Sequence, residues 1–102
     1  MKLTTNYLGD RAVIAIEGDF EFQGVKEFRN ASDAVFLHPN LTRVEVDLGR
    51  ATYIDSSALG ILLVTRESAK KHGIALALTH VTGKVRTVLE MARFNKLFEM
   101  GS

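Results

Sequence analysis

The stretch Asp47-Leu48-Gly49-Arg50-Ala51-Thr52-Tyr53-Ile54-Asp55-Ser56-Ser57-Ala58-Leu59-Gly60 carries the strongest chemical signal in the chain. In it a strand gives way to a loop and then to a helix that opens with two hydroxyls. A helix N-terminus presents unpaired N–H groups and partial positive charge, so an anion such as a phosphate on Ser56 is favoured there. Phosphorylation is therefore reasonable chemistry for this serine. The same Asp-Ser-Ser before an apolar run also fits a plain helix cap, with Ser56 or Ser57 accepting a backbone hydrogen bond. Taken alone, the run leaves both readings open.

Other chemistries find less support. His38, His72 and His80 form no i, i+4 pair and have no cysteine beside them, so no metal site is expected. A Ser56, His80, Asp47 hydrolase triad would lack the Gly-x-Ser-x-Gly elbow that exposes such a serine. Asp47 and Asp55 as a Mg²⁺ pair would need further oxygen ligands that the sequence does not cluster. The glycines are scattered at element ends and form no phosphate-cradling loop. No catalytic residue, cofactor or metal is expected, and a binding role is favoured over an enzymatic one.

The totals restrict the partners. Thirteen Lys and Arg against twelve Asp and Glu, spread along 102 residues, give a net charge of +1 and no basic stripe for a nucleic acid backbone. The chain has no cysteine, which removes disulfides and thiolate chemistry. The longest apolar run, Ile61 to Val64, is far short of the roughly 20 residues that span a bilayer, and the N-terminus has no apolar leader. A cytoplasmic protein without membrane insertion is expected. The length suits one domain, residues 1–102.

The elements that must position Ser56 follow from periodicity. Leu3 to Leu8 and Arg11 to Glu17 read as strands joined at Gly9-Asp10, with Val13, Ala15 and Ile16 toward the core and an end at Gly18. Phe22, Val25, Phe28, Ala31 and Val35 recur at helical spacing and stop before Pro39. Val44, Val46 and Leu48 alternate as a strand, followed by a loop through Gly49 to Tyr53. A helix from Ala58 to about His72 is stopped by Gly73, and Ile74 to Thr79 forms another strand. Thr82 caps a last helix carrying Val85, Val88, Leu89 and Ala92, broken at Asn95, and Leu97-Phe98 returns to packing as a short edge strand or turn. Such an order requires an α/β fold: a mixed four- or five-stranded sheet with helices packed mainly on one face. Val46, Leu48, Ile74, Leu76, Leu78, Val88 and Leu89 are the expected core.

With the Asp-Ser-Ser-Ala-Leu-Gly run in place, the sequence resembles the STAS domain family, the bacterial anti-sigma-factor antagonists and their relatives. The resemblance extends to the opening hairpin, Gly18-Asp19-Phe20, Val44 to Gly60 and the closing Val85 to Phe94. It implies a single STAS-like domain in which Ser56 is the phosphoacceptor of a serine kinase that is also an anti-sigma factor, reset by a serine phosphatase. It also implies a partner surface near Glu21, Asp55, Ser57, Ala58, Leu59, Gly60 and Leu63. Two positions depart from the pattern: Ala58 stands where Gly is more familiar, and Glu21 stands where the family often carries Asp near the first helix.

The leading expectation is thus a partner switch, bound when Ser56 is free and released when phosphate repels an acidic partner surface and desolvates poorly in the contact. The alternative is a constitutive STAS interaction subunit of a transporter or signalling complex, with Ser56 only a helix cap. The density of Leu59, Ile61, Leu62, Leu63 and Val64 exceeds one helical stripe and fits either a partner face or a helix buried on most sides.

Overall fold

Gly9 takes φ +64° in a two-residue turn, and this folds strand β1 (Lys2–Leu8) back on strand β2 (Arg11–Phe20) in antiparallel register. The computed structural model describes residues 1–102. A short 3-10 turn, Phe22–Gly24, leads into helix α1 (Val25–Phe36), followed by strand β3 (Arg43–Ile54) and helix α2 (Ser56–Lys71). Strand β4 (Ala75–Thr79), helix α3 (Gly83–Met91), a second 3-10 turn at Phe94–Lys96 and strand β5 (Glu99–Met100) complete the chain. The strands lie in the order β1-β2-β3-β4-β5, and every pair after the first is parallel. Parallel neighbours need long crossovers, which the three helices supply. The expected mixed sheet is present with five strands.

One face of the sheet carries the core. Ala12, Ile14 and Ile16 of β2, Val44, Val46 and Leu48 of β3 and Leu78 of β4 are buried against Phe28 and Val35 of α1, Leu62 of α2 and Val85 and Leu89 of α3. The opposite face is open and polar. Helix α2 ends in a Schellman arrangement: Gly73 sits at φ +67°, its N–H donates to the Lys70 carbonyl, and the Ile74 N–H donates to the Ala69 carbonyl.

Several local expectations are corrected. In β2 the core-facing set is Ala12, Ile14 and Ile16, not Val13 and Ala15, which are half-buried on the other face. The run from Ala12 to Ile16 is apolar throughout and has no phase of its own; pairing of Leu3 with Ile16 and Thr5 with Ile14 sets it. Strand β2 continues past Gly18 to Phe20, and β3 runs through the expected loop at Gly49 to Tyr53. Register shifts between Ala15 and Glu17 and between Gly18 and Asp19 absorb the extra β3 residues as bulges. Helix α3 ends at Met91, because Arg93 adopts φ +61°, before Asn95 is reached. Leu76 and Val88 are half-buried at the rim of the core, whereas Val46, Leu48, Ile74, Leu78 and Leu89 are buried as expected.

Candidate functional site

Asp55 is the hub of the site. It follows β3 in extended conformation, and its Oδ1 accepts the Ala58 N–H at 2.9 Å, which makes it the cap of α2. The cap expected from Ser56 or Ser57 is therefore supplied one residue earlier. Asp55 Oδ2 accepts the Phe22 N–H at 3.1 Å, and the Asp55 N–H donates to the Phe20 carbonyl at 3.2 Å. One aspartate thus ties the start of α2 to the end of β2 and the turn before α1. Both of its carboxylate oxygens are occupied by backbone donors.

Ser56 is the first residue of α2, exposed, with no hydrogen bond from its hydroxyl to the chain. Ser57 and Leu59 are half-buried, Ala58 is buried and Gly60 is exposed. Gly60, Leu63 and Val64 follow Ser56 by four, seven and eight residues, which places them on one helix face. Leu63 and Val64 are 38% and 48% exposed, so the apolar excess of α2 divides: Ile61 and Leu62 enter the core, while these two remain outside. The hydrophobic run is thus part core and part exposed surface.

Two exposed aromatic residues near the strand ends were not singled out as functional by sequence. Phe22, expected in the apolar stripe of α1, is 72% exposed because its 3-10 turn precedes that helix and Asp55 fixes its N–H. Tyr53, 49% exposed, sits on β3 where a loop was expected. Glu21 is half-buried beside Phe22; its carbonyl accepts the Gly24 N–H, and its carboxylate forms no ion pair. Asp19, Glu21 and Glu27, with Met1, Gln23 and Gly24, line a shallow depression of about 320 Å³. The exposed Phe22 thus lies next to an acidic depression.

The remaining candidates separate. His80 Nδ1 lies 3.2 Å from Asp47 Oδ1, but that oxygen also accepts the Gly49 N–H, and Ser56 does not join the pair. Ser56, His80 and Asp47 are therefore not assembled as a nucleophile, base and orienting acid. Asp47 and Asp55 bind different groups and do not converge. His38 and His72 are exposed and stack on Tyr7 and Phe36. No helix is long and apolar enough to cross a membrane.

Comparison with known proteins agrees with this architecture. The family model described as "Mlab, STAS domain" matches residues 3–99. A STAS-domain containing protein of Pseudomonas aeruginosa (strain UCBPP-PA14) is 38% identical over 92 residues, covering 90% of this chain and 89% of that protein. The anti-sigma factor antagonist SpoIIAA in its unphosphorylated form superposes with a TM-score of 0.74 at 16% identity, covering 97% of this chain and 86% of the other. The Bacillus cell fate determinant SpoIIAA in its phosphorylated form gives 0.75 at 15% identity, with 99% and 92% covered. A sulfate transporter family protein from Wolinella succinogenes gives 0.80 at 19% identity, with 90% and 76% covered. At such identities the solved structures speak to the fold, while the family model and the Pseudomonas relative speak to descent. The chain belongs to the STAS domain family.

Proposed function

We propose that this STAS chain is an anti-sigma-factor antagonist whose binding is switched by phosphate on Ser56. In its unphosphorylated state it holds an anti-sigma factor that is also a serine kinase. Transfer of a phosphoryl group from the kinase's ATP to Ser56 Oγ releases the complex, and a serine phosphatase restores it. The observation that carries this reading is the division of labour at the start of α2: Asp55 caps the helix, and the adjacent Ser56 hydroxyl is exposed and unengaged. A serine with no structural task is free to be modified.

The surroundings support a switch based on desolvation. Phe22 is tied to Asp55 next to Ser56, and Gly60, Leu63 and Val64 continue the helix face that Ser56 begins. A phosphate of about −2 charge at the end of this partly apolar face therefore loses hydration on contact without gaining a partner. The acidic side chains Asp19, Glu21 and Glu27 favour a partner surface of opposite sign, so repulsion from an acidic partner is not required. The helix itself tolerates the modification, because first-turn N–H groups favour an anion. Within the surface, Leu63 and Gly60 make contact directly, with Glu21 at its acidic side. Asp55, Ser57, Ala58 and Leu59 hold the surface in shape from beneath.

The exposed aromatic and aliphatic side chains also serve a second reading, a constitutive STAS interaction subunit of a transporter or signalling complex in which Ser56 stays unmodified. Phosphopeptide mass spectrometry on protein isolated from its native host, with pull-downs using wild type and Ser56→Ala, separates the two. Phosphate on Ser56 and a partner retained by Ser56→Ala support the switch. A stable partner with no phosphate at Ser56 under any growth condition supports the constitutive subunit.

A further inference from the structure

We infer that β1 is a self-association edge, through which two copies pair antiparallel about Thr5 into one ten-stranded sheet. Strand β1 is seven residues long, lies at the edge and pairs only with β2. The two-residue turn makes Leu8 and Arg11 the closing hydrogen-bonded pair, and the antiparallel ladder then alternates. Lys2, Thr4, Asn6 and Leu8 consequently bond to β2, and the backbone groups of Leu3, Thr5 and Tyr7 point outward. None of the turn, loop or side-chain hydrogen bonds of the chain reaches these three residues. A row of free donors and acceptors is a template for another strand.

Little blunts this edge beyond Lys2 at its start and the stack of Tyr7 on His38, which leaves the outward backbone groups of β1 free. Strand β1 has no proline, its register with β2 is unbroken by a bulge, and Lys2 is its only charged residue. The opposite edge differs: β5 has two residues, and its Glu99 is engaged by Arg43. The sequence of β1 is also self-complementary. Pairing about Thr5 sets Leu3 against Tyr7 and Thr5 against Thr5 on the helix-bearing face, and Thr4 against Asn6 and Lys2 against Leu8 on the open face. These are an aliphatic–aromatic pair, a threonine pair, a polar pair and a lysine–leucine pair, with no like charges opposed. Tyr7 and Leu8, the latter 52% exposed, gain cover in the pair. One strand pair is at the low end of interface sizes, so the dimer is expected to form with rising concentration.

Sedimentation velocity over roughly 5–500 µM tests the edge, since a small interface dissociates within such a range. The wild type is expected to shift from monomer to dimer. Thr5→Pro removes an outward N–H while leaving the β1–β2 ladder intact, and is expected to stay monomeric with unchanged circular dichroism. The register is tested separately at Leu8. Leu8→Lys sets like charges opposite Lys2 twice per dimer and should weaken it several-fold to about tenfold, whereas Leu8→Glu should strengthen it by a similar factor. If Thr5→Pro does not fold, the Leu8 pair decides alone. A wild type that stays monomeric throughout, a folded Thr5→Pro that dimerises normally, or Leu8→Lys and Leu8→Glu shifting affinity equally would overturn the inference.

Discussion

The open face of the sheet and the N-terminal end of α2 are both exposed, yet they treat their side chains in opposite ways. On the open face, charges satisfy one another. Glu45 accepts from Arg43 Nε at 2.9 Å and from Arg11 Nη1 at 3.3 Å, Arg43 grips Glu99 through two bonds of 3.1 and 2.8 Å, and Arg50 pairs with Glu17 at 3.3 Å. Ala77, in register between Glu45 and Glu99, is buried although it lies on this side. At the start of α2, by contrast, the Ser56 hydroxyl bonds to nothing, Phe22 is exposed and tied to the neighbouring Asp55, and Leu63 and Val64 are exposed further along the same helix face. Self-satisfied charge holds the β5 edge, while exposed apolar side chains along α2 are left without partners in the chain.

The comparison breaks first if the core beneath both surfaces is misplaced. Leu62→Ala or Leu78→Ala, each at full burial, is expected to cost about 2–5 kcal/mol in chemical denaturation, and the half-buried Leu76→Ala less than about 2. Equal losses at Leu76 and Leu78 would contradict the assigned rim. Next in size, Asp55→Ala removes both the α2 cap and the bond to Phe22, for a loss of about 1–2 kcal/mol. Ser56→Ala should stay within about 0.5 kcal/mol of wild type in the same chemical denaturation, because it caps nothing. A larger loss at Ser56 than at Asp55 would reverse the division of labour.

The smallest effect belongs to the open face. Hydrogen bonding to Arg43, aided by its charge, holds the Glu99 carboxyl below its ordinary value of 4.5. A group with a depressed folded pKa stabilises above its unfolded value and loses that contribution as pH falls through the folded one. Glu99→Gln should therefore differ slightly from wild type at neutral pH, with the difference closing below pH 4.5. Since Glu99 is exposed, salt should shrink it too. A gap that widens on acidification would contradict the pairing.

How much of this was legible beforehand depended on the kind of signal. Alternation in β3 and the Gly73 stop of α2 were readable because one buried face and one positive φ leave local marks in sequence. The phase of β2 was not, since its apolar run is continuous and only pairing with β1 chooses a face. Gly49 to Tyr53 looked like a loop because bulges accept residues that regular strands disfavour. At the site, Asp55, Ser56 and Gly60 were marked by the motif. Phe22 was misplaced because a 3-10 turn and the Asp55 bond, both tertiary features, expel it from the helical stripe its spacing suggests.

Calorimetry with the purified partner decides the role of Ser56. Ser56→Ala is expected to bind as the unphosphorylated wild type does. Enzymatically phosphorylated protein should bind at least roughly tenfold more weakly, about 1.4 kcal/mol. Ser56→Asp should fall between them, because it carries less charge and fewer oxygens than phosphate. Equal affinity for the phosphorylated and unphosphorylated protein would contradict the account.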